Sequence, residues 1–262
     1  MTFFQAIIAG VVQGITEFLP VSSSGHLIVV RELFGIQVDS LSFDVAVHIA
    51  TLVAVVWVLR GEILDIIREF FSKKWLNSVG LKIVVATIPA VIFGLWLRGD
   101  LLDALRTTQI VGYSLIFWGI VLYAADVYLK KKKGLVKKVQ NIRWLQAIFI
   151  GCAQAIALIP GTSRAGITMT AGLFAKVDRV RAARFSFLLS IPAILGAGVL
   201  TMFDAIETGL DIEVSALIIG CIAALLSGIV AIKVLLKFLE KGSFFGFAVY
   251  RIILGVLLLV FL

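Results

Sequence analysis

Charged side chains are scarce in this sequence, and their scarcity limits the class of protein before any motif is considered. Only 15% of the 262 residues are charged and 61% are hydrophobic, whereas a soluble chain averages about a quarter charged and about 45–50% apolar residues. Apolar runs that approach the roughly 20 residues needed to cross a bilayer recur along the chain. The composition therefore excludes a soluble domain and predicts an all-α integral membrane protein.

Cysteine and histidine are rare as well, with two residues of each. Cys152 and Cys221 lie in apolar surroundings without a motif, which is typical of packing residues. A cleavable signal peptide is not expected, because the first apolar stretch lacks a basic leader region. The net charge of +8 is interpreted as the cytoplasmic loops of a membrane protein rather than as a nucleic-acid binding surface.

Six apolar segments are long enough to span a membrane, and two more are interrupted. The predicted spans are 43–59, 79–97, 108–128, 185–203, 214–236 and 244–262. Segments 3–30 and 144–175 are too short for two crossings, and each is broken by hydroxyl residues and a proline, Pro20 or Pro160. Proline removes a helix donor and clashes with the preceding turn. We therefore expect each interrupted segment to be a re-entrant hairpin that returns to its own face.

The basic residues support this topology. If both hairpins return, the loops 60–82, 129–143, 176–184 and 233–251 lie on one face and carry twenty Lys and Arg residues, Arg251 among them. The opposite face keeps three, which are Arg31, Arg98 and Arg106. Such an excess marks the cytoplasmic side. The lysine-rich stretch 130–138 is expected to contact anionic lipid as well.

An internal repeat indicates how the two halves are related. The stretch "QAIIAGVVQGITEFLP" at 5–20 resembles "QAIFIGCAQAIALIP" at 146–160 with one gap. Three spans separate the copies, so the second copy is inverted in the membrane. The predicted architecture is two inverted-topology repeats, 1–128 and 144–262, each a hairpin plus three transmembrane helices, joined by the basic cytoplasmic linker 129–143. In such folds the broken helices meet near the midplane and form the binding site.

The two predicted hairpin tips carry the polar residues of the apolar chain, in "PVSSSGH" at 20–26 and "PGTSRAGIT" at 160–168. A charge at bilayer depth costs roughly 2.5–3.5 kcal/mol on insertion scales, so the buried Glu17 and Arg164 indicate a function. Non-helical backbone at that depth is tolerated where it lines a wet cavity. The residues that the tips bring together are Glu17, Ser22, Ser23, Ser24, His26, Thr162, Ser163, Arg164 and Thr168.

These residue types suit a phosphate. Helix N-termini after the prolines attract anions, and the planar guanidinium of Arg164 matches phosphate oxygens. His26 is a candidate nucleophile or general acid, and Glu17 a candidate base or cation ligand. Mg²⁺ typically takes one or two carboxylates together with substrate phosphates. The pattern favours phosphoryl transfer to water at a membrane-embedded site.

Several other interpretations stay open at this point. Ser22 and Ser24 suit helix caps, and Glu17 with Arg164 suits a structural ion pair between the hairpins. For His48, packing or a hydrogen bond to Asp44 is favoured over catalysis. Inverted repeats with broken helices are also a common transporter plan, so a lipid-phosphate flippase, an anion transporter or a non-catalytic lipid-binding scaffold is an alternative. An acid and a histidine beside the arginine favour the enzyme.

Taken together, the two tips resemble the undecaprenyl-diphosphate phosphatase family, also called the bacitracin-resistance proteins. The family's Glu-x-x-x-Glu run followed by "FLPVSSSGH" is similar to 13–26 here, and its Pro-Gly-x-Ser-Arg-Ser-x-x-Thr run is similar to 160–168. Two positions depart from the family pattern: Gln13 replaces the first glutamate, and Ala165 replaces the second serine. The resemblance extends over essentially the whole chain.

The resemblance implies hydrolysis of undecaprenyl diphosphate to undecaprenyl phosphate, which recycles the lipid carrier for peptidoglycan synthesis and confers bacitracin resistance. It implies a bacterial inner-membrane protein whose site opens to the periplasmic or outer face and uses Mg²⁺ or another divalent cation, Ca²⁺ included. The expected partners are the polyprenyl diphosphate substrate and membrane lipids, with a homodimer allowed for and no nucleic acid. The residues of the tips and the resemblance together predict Glu17, His26 and Ser23 as catalytic residues, Arg164, Ser163, Thr168, Ser22 and Thr162 as substrate-binding residues, and Glu17 and Gln13 as metal ligands.

Overall fold

The structure, a computed structural model, describes residues 1–34, 41–72, 75–97, 104–105, 107–131, 138–208 and 213–262. Within them the regular elements are eleven α-helices and two short 3₁₀ turns, which confirms the predicted all-α class for this part of the chain. The helices are α1 (Phe3–Thr16), α2 (Ser23–Phe34), α3 (Leu41–Val58), α4 (Arg60–Phe70), α5 (Val79–Trp96), α6 (Thr108–Lys130), α7 (Trp144–Ile156), α8 (Arg164–Phe174), α9 (Arg179–Thr208), α10 (Val214–Leu239) and α11 (Phe245–Phe261).

Four of these helices are long and apolar enough to cross a membrane, namely α5, α6, the Arg179–Val199 part of α9, and α10. A fifth span results if α3 and α4, which are bent by 78° at their junction, are counted as one. Helices α1, α7 and α11 are apolar but shorter, at 10–17 residues. The chain is a multi-pass membrane protein. All six predicted spans correspond to helices, although 43–59 ends at the bend and 244–262 forms the 17-residue α11.

Both predicted interruptions are present. Helix α1 ends at Thr16 and α2 begins at Ser23, and helix α7 ends at Ile156 and α8 begins at Arg164. The chain turns back at each break, as two hydrogen bonds at the far ends of these helices show. The Gln5 amide, Nε2, donates to the Phe34 carbonyl at 3.1 Å, and the Gln146 amide donates to the Ala175 carbonyl at 2.7 Å.

The first helix of each broken pair packs closely on a long helix, α1 on α10 and α7 on α5. A Cβ atom on Gly10 would lie 2.3 Å from the Gly220 carbonyl oxygen, and one on Gly151 would lie 2.2 Å from the Ala86 carbonyl oxygen. Both distances are far below van der Waals contact, so glycine is required for these backbones to approach each other. This packing holds the two breaks in place inside the helical bundle.

One basic residue used to predict the topology was assigned wrongly. Arg251 was placed in the loop 233–251, but it lies in α11 and its side chain is fully buried. Its hydrogen-bond acceptors are carbonyls from distant parts of the chain, which a local pattern does not reveal. Seven further basic residues lie outside the described part of the chain: Lys73, Lys74, Arg98, Arg106, Lys132, Lys133 and Lys137.

Candidate active site

Each break leads into its second helix through a serine with a left-handed backbone. Ser22, directly before α2, has a φ of 73°, and Ser163, directly before α8, has a φ of 68°. A backbone with positive φ costs a residue other than glycine on the order of 1–3 kcal/mol, and such residues recur at functional sites. Ser163 gains a compensating cap, because its Oγ accepts the Gly166 N–H at 3.1 Å. The sharp turns let both helices begin directly at the tips.

An ion pair joins the two tips. Arg164 Nη2 donates to Glu17 Oε1 at 2.5 Å, and the two side chains are only 15% and 8% exposed. The second carboxylate oxygen, Oε2, accepts from Gln13 Nε2 at 3.0 Å and from Ser23 Oγ at 3.1 Å. His48 Nε2 lies 3.6 Å from the same oxygen. The carboxylate of Glu17 is therefore the centre on which both tips and α3 converge.

A cavity of about 210 Å³ surrounds this carboxylate. Of the predicted site residues, those that line it are Glu17, Ser22, Ser23, Ser24, Ser163 and Arg164. The Ser22 and Ser24 hydroxyls lie 3.0 Å apart, and Ser24 Oγ accepts the Gly161 N–H at 3.4 Å, a second direct contact between the tips. The structure thus brings most of the predicted constellation into one polar pocket.

Thr162 and Thr168 are not among the residues that line the cavity. The Thr168 hydroxyl lies 2.8 Å from the Arg164 carbonyl and 2.6 Å from Ser186 Oγ, and the Ser186 carbonyl accepts Arg164 Nη1 at 3.4 Å. Thr168 therefore holds Arg164 in place, directly through the Arg164 carbonyl and indirectly through Ser186, without lining the cavity. Thr162 is buried, and its hydroxyl makes no hydrogen bond within the described residues.

The structure does not bring His26 together with the Glu17–Arg164 pair. Its Nδ1 lies 2.6 Å from the Ser22 carbonyl and its Nε2 lies 2.6 Å from the Tyr250 hydroxyl, with the two rings stacked at 5.5 Å. A carbonyl only accepts, so Nδ1 is assigned the proton, and in the neutral ring Nε2 accepts from Tyr250. Both nitrogens are engaged by these partners, and His26 is not among the residues that line the cavity. The catalytic role of His26 stays a prediction.

His48 is a cavity residue whose position the sequence did not predict. The expected bond to Asp44 exists, because His48 Nδ1 lies 2.6 Å from the Asp44 backbone carbonyl. The position of the Nε2 atom was not predicted: His48 lines the cavity, and its Nε2 lies near the Glu17 carboxylate. The available signal was an ionisable residue inside a predicted span, which by itself indicates a functional position.

The same signal applied to Arg251, which was also missed. This residue is fully buried, is not among those that line the cavity, and bonds to carbonyls of both tips. An arginine inside the predicted span 244–262 was grounds to expect a partner in the protein interior.

The donors around Glu17 suit a hard divalent cation that takes most of its ligands from a substrate. The Gln13 carbonyl oxygen, Oε1, is buried and has no hydrogen-bond partner within the described residues. Mg²⁺ and Ca²⁺ prefer oxygen ligands, and Mg²⁺ uses one or two carboxylates beside phosphates and water. No group of three His, Cys, Asp or Glu side chains occurs in the part of the chain that the structure describes. A cation held mainly by protein carboxylates is therefore not indicated there.

The cavity combines a guanidinium, serine hydroxyls and two helix N-termini with a carboxylate in hydrogen-bond reach of a serine. Such a set binds an anion and activates a hydroxyl, as phosphoryl transfer requires. Residues 6–257 match the family model described as bacitracin resistance protein BacA. The chain belongs to the BacA family.

Relatives of this BacA chain match it along nearly its whole length. A protein of Thermodesulfovibrio yellowstonii named undecaprenyl-diphosphatase is 44% identical, over 97% of this chain and 95% of the relative. One of Alteromonas mediterranea with the same name is 42% identical, over 100% and 99%. Undecaprenyl-diphosphatase 2 of Stutzerimonas stutzeri is 40% identical, over 99% and 98%.

Proposed function

We propose that this BacA-family chain is an undecaprenyl-diphosphatase, which hydrolyses undecaprenyl diphosphate to undecaprenyl phosphate and inorganic phosphate. The relatives carry the name of this activity. The observation that supports it in the structure is the Glu17 carboxylate, held between Arg164 of one tip and Ser23 of the other. Release of the monophosphate returns the lipid carrier to cell-envelope synthesis, which accounts for bacitracin resistance.

Arg164 is proposed to bind the diphosphate. Its guanidinium offers parallel donors that match two phosphate oxygens, and in the free protein one of them occupies Glu17. An incoming phosphate competes for that donor and releases the carboxylate. Ser22 and Ser163 add hydroxyls on the cavity wall, and Thr168 fixes the backbone that carries the arginine. Thr162 keeps a predicted binding role.

Ser23 is proposed as the nucleophile and Glu17 as its base. The 3.1 Å between Ser23 Oγ and Glu17 Oε2 falls within the range of an activated nucleophile and its base. Ser23 Oγ attacks the terminal phosphorus, the bond from that phosphorus to the bridging oxygen breaks, and undecaprenyl phosphate leaves. Glu17 takes the hydroxyl proton and passes it to the departing phosphate oxygen, which leaves the carboxylate free to act as base again. Water then attacks the phosphoserine, Glu17 takes a proton from the water and returns it to Ser23 Oγ as the P–O bond breaks, and inorganic phosphate is released.

A divalent cation, Mg²⁺ or another such as Ca²⁺, is proposed to accompany the substrate. Glu17, which lines the cavity, and Gln13, whose amide bonds to Glu17 and whose buried Oε1 has no hydrogen-bond partner among the described residues, would hold it together with the phosphates. When bound, it would neutralise developing phosphate charge as a Lewis acid. Because Gln13 is uncharged, Glu17 is the one carboxylate of this set.

The inverted-repeat architecture is proposed for the whole chain, with repeats 1–128 and 144–262 and the basic linker 129–143. Corresponding contacts support it. Gln5 and Gln146 each bond to a carbonyl 29 residues later, and Gly10 and Gly151 make corresponding close approaches to helices of the opposite half. We propose that each broken pair, α1–α2 and α7–α8, is a re-entrant hairpin.

The inner membrane is the proposed location, with the site open to the periplasmic or outer side. Without Arg251, nineteen of the twenty basic residues remain on the proposed cytoplasmic face, against three on the other. This excess still orients the chain. Membrane lipids surround it, and a homodimer stays a prediction.

The decisive experiment measures phosphate release from undecaprenyl diphosphate by the detergent-purified protein. We expect turnover by the wild type and losses on the order of 10²–10⁴-fold in Glu17→Gln and Ser23→Ala, because each removes one side of the base–nucleophile pair. Asp65→Asn and Ser72→Ala, both exposed, are the matched controls. A folded wild type that binds the lipid without hydrolysing it would refute the phosphatase and favour the flippase or anion transporter, which share the broken-helix plan.

A further inference from the structure

We infer that Arg251 is a positioning residue that fixes the two tips against each other, so that Glu17 and Arg164 meet in the geometry that turnover needs. The inference rests on the proposed phosphatase function. It concerns a side chain that is fully buried in α11 and is not among those that line the cavity.

The guanidinium of Arg251 bonds to the backbone of both breaks at once. Its Nη1 donates to the Pro20 carbonyl at 3.4 Å, and its Nη2 donates to the Gly161 and Thr162 carbonyls at 3.1 and 2.8 Å. All three carbonyls lie outside the helices, so no helical N–H is available to them. A buried carbonyl without a donor costs about 1–3 kcal/mol, and one side chain satisfies acceptors in both tips.

The charge of Arg251 is held without a carboxylate, since no acidic side chain lies within ion-pair distance of it among the described residues. A buried cation with dipoles as its only partners is unfavourable to maintain. The rigid fork of five donors explains the choice of arginine, because a lysine ammonium is a point charge that does not span separate acceptors in the same way.

The residues that line the cavity explain why the tips need a further contact. We call the three hydrogen bonds from Arg251 to Pro20, Gly161 and Thr162 the brace. The tips touch each other directly through the Glu17–Arg164 pair and through Ser24 and Gly161, and all four residues line the cavity. When a phosphate takes Arg164 away from Glu17, the stronger of these contacts is lost. Arg251 does not line the cavity and bonds to backbone carbonyls of both tips rather than to Glu17 or Arg164, so we expect its contacts to survive substrate binding and to keep the tips together during the reaction.

Space for the guanidinium is provided by a glycine in the first turn of α8. A Cβ atom on Gly166 would lie 2.5 Å from Arg251 Nη1. Gly166→Ala therefore displaces the brace while leaving its charge in the protein, which gives an independent way to disturb the same contact.

The first test compares steady-state kinetics of Arg251→Met, Arg251→Lys and the wild type on undecaprenyl diphosphate. We expect Arg251→Met to lower kcat on the order of 10²-fold, as expected for reacting groups misplaced by about 1 Å, and to change KM by less than about threefold, because Arg164 and the lipid contacts remain. Arg251→Lys should fall in between. Arg68→Met, which removes a 77% exposed arginine that pairs with Asp65, is the matched control and should be unchanged.

The second test measures the backbone protection of the two tips in the absence of substrate. It can therefore refute the positioning role of Arg251 independently of whether the protein is a phosphatase. Amide hydrogen exchange should rise in peptides 17–24 and 157–166 of Arg251→Met, while Val214–Leu239 keeps its wild-type protection. Unchanged exchange at the tips would overturn the inference. A rise throughout the bundle would overturn it as well, since it would show a general structural role.

The third test is a double-mutant cycle between Gly166→Ala and Arg251→Met. If the alanine acts by displacing the guanidinium, it lowers kcat in the wild-type background and has little further effect once Arg251 is gone. Fully additive losses would show that Gly166 acts by another route, through Ser163 for example, and would contradict the brace.

Discussion

At the scale of single residues, the carboxylate of Glu17 organises the site through donors from three parts of the chain. Gln13 lies one turn before it in α1, Ser23 lies across the first break, and Arg164 comes from the opposite half. Each donor compensates part of the cost of a nearly buried negative charge. Replacing any one of them therefore changes both the stability of the empty site and the availability of the carboxylate.

Gln13→Glu is expected to strengthen cation dependence. The new carboxylate would lie beside Glu17, where the two negative charges repel each other until a cation joins them. Half-maximal phosphate release should then require a lower Mg²⁺ concentration, while activity in chelator falls further below the wild-type value. The measurement is a Mg²⁺ titration of both proteins. An unchanged titration would place the cation away from Gln13.

His48→Asn tests the cavity face of this histidine. The asparagine amide can still reach toward the Asp44 carbonyl, whereas the Nε2 atom near Glu17 is removed. Because Nδ1 bonds to the Asp44 carbonyl and a carboxylate only accepts, the Nε2 contact to Glu17 is an ion pair when the ring carries both protons. Loss of this contact, about 1 kcal/mol, predicts a drop of about fivefold in kcat/KM. Phosphate-release kinetics measure it. Wild-type kinetics in His48→Asn would return His48 to a packing role.

At the scale of elements, proline alone did not predict where the helices break. Pro89 lies inside α5 and Pro192 lies inside α9, whereas Pro20 and Pro160 lie in the two breaks. The stretches that follow differ: only apolar residues come directly after the first two, whereas three serines follow Pro20 after a single valine, and glycine, threonine and serine follow Pro160. Hydroxyl side chains cap a new helix start, so the proline together with its successors determines the break.

Gly151→Ala should destabilise the protein, because its Cβ would meet the backbone of α5 at 2.2 Å. Overpacking of this kind costs about 1–3 kcal/mol, since a backbone carbonyl cannot rotate away as a side chain can. Gly196→Ala is the matched control within α9, where a Cβ meets nothing within 4 Å. Thermal unfolding in detergent should show a lower midpoint for the first variant alone. Equal midpoints would show that α7 can move away from α5 without a loss of thermal stability.

At the scale of the whole molecule, the site belongs to neither half of the chain. One tip supplies the carboxylate and the serine, and the other supplies the guanidinium. Helices α1 and α7 each pack on a helix of the opposite half, so the halves are interleaved rather than merely adjacent. A change in the packing of either half therefore alters the distance between the reacting groups.

The proposed orientation predicts which face each connection occupies. Cysteines introduced at Glu213, before α10, and at Lys241, after it, should be labelled from opposite sides in a Cys152→Ser, Cys221→Ser background. Position 241 follows a helix end rich in lysine and should be reached only after the inner membrane is permeabilised. Labelling of intact spheroplasts with an impermeant maleimide measures this. Access to position 241 from outside would invert the topology.

The sequence by itself determined the apolar helices, their two breaks and the kind of chemistry, because these depend on local properties: apolar length, helix-breaking residues and the types of polar residue at two points. It did not predict α4, which forms within the stretch assigned to the loop 60–82. Only the tertiary structure placed His48 beside Glu17, turned His26 toward Tyr250, and buried Arg251 between the tips. The latter two contacts join residues 89 to 231 positions apart. Their energies depend on how distant helices pack, and no local pattern encodes that packing.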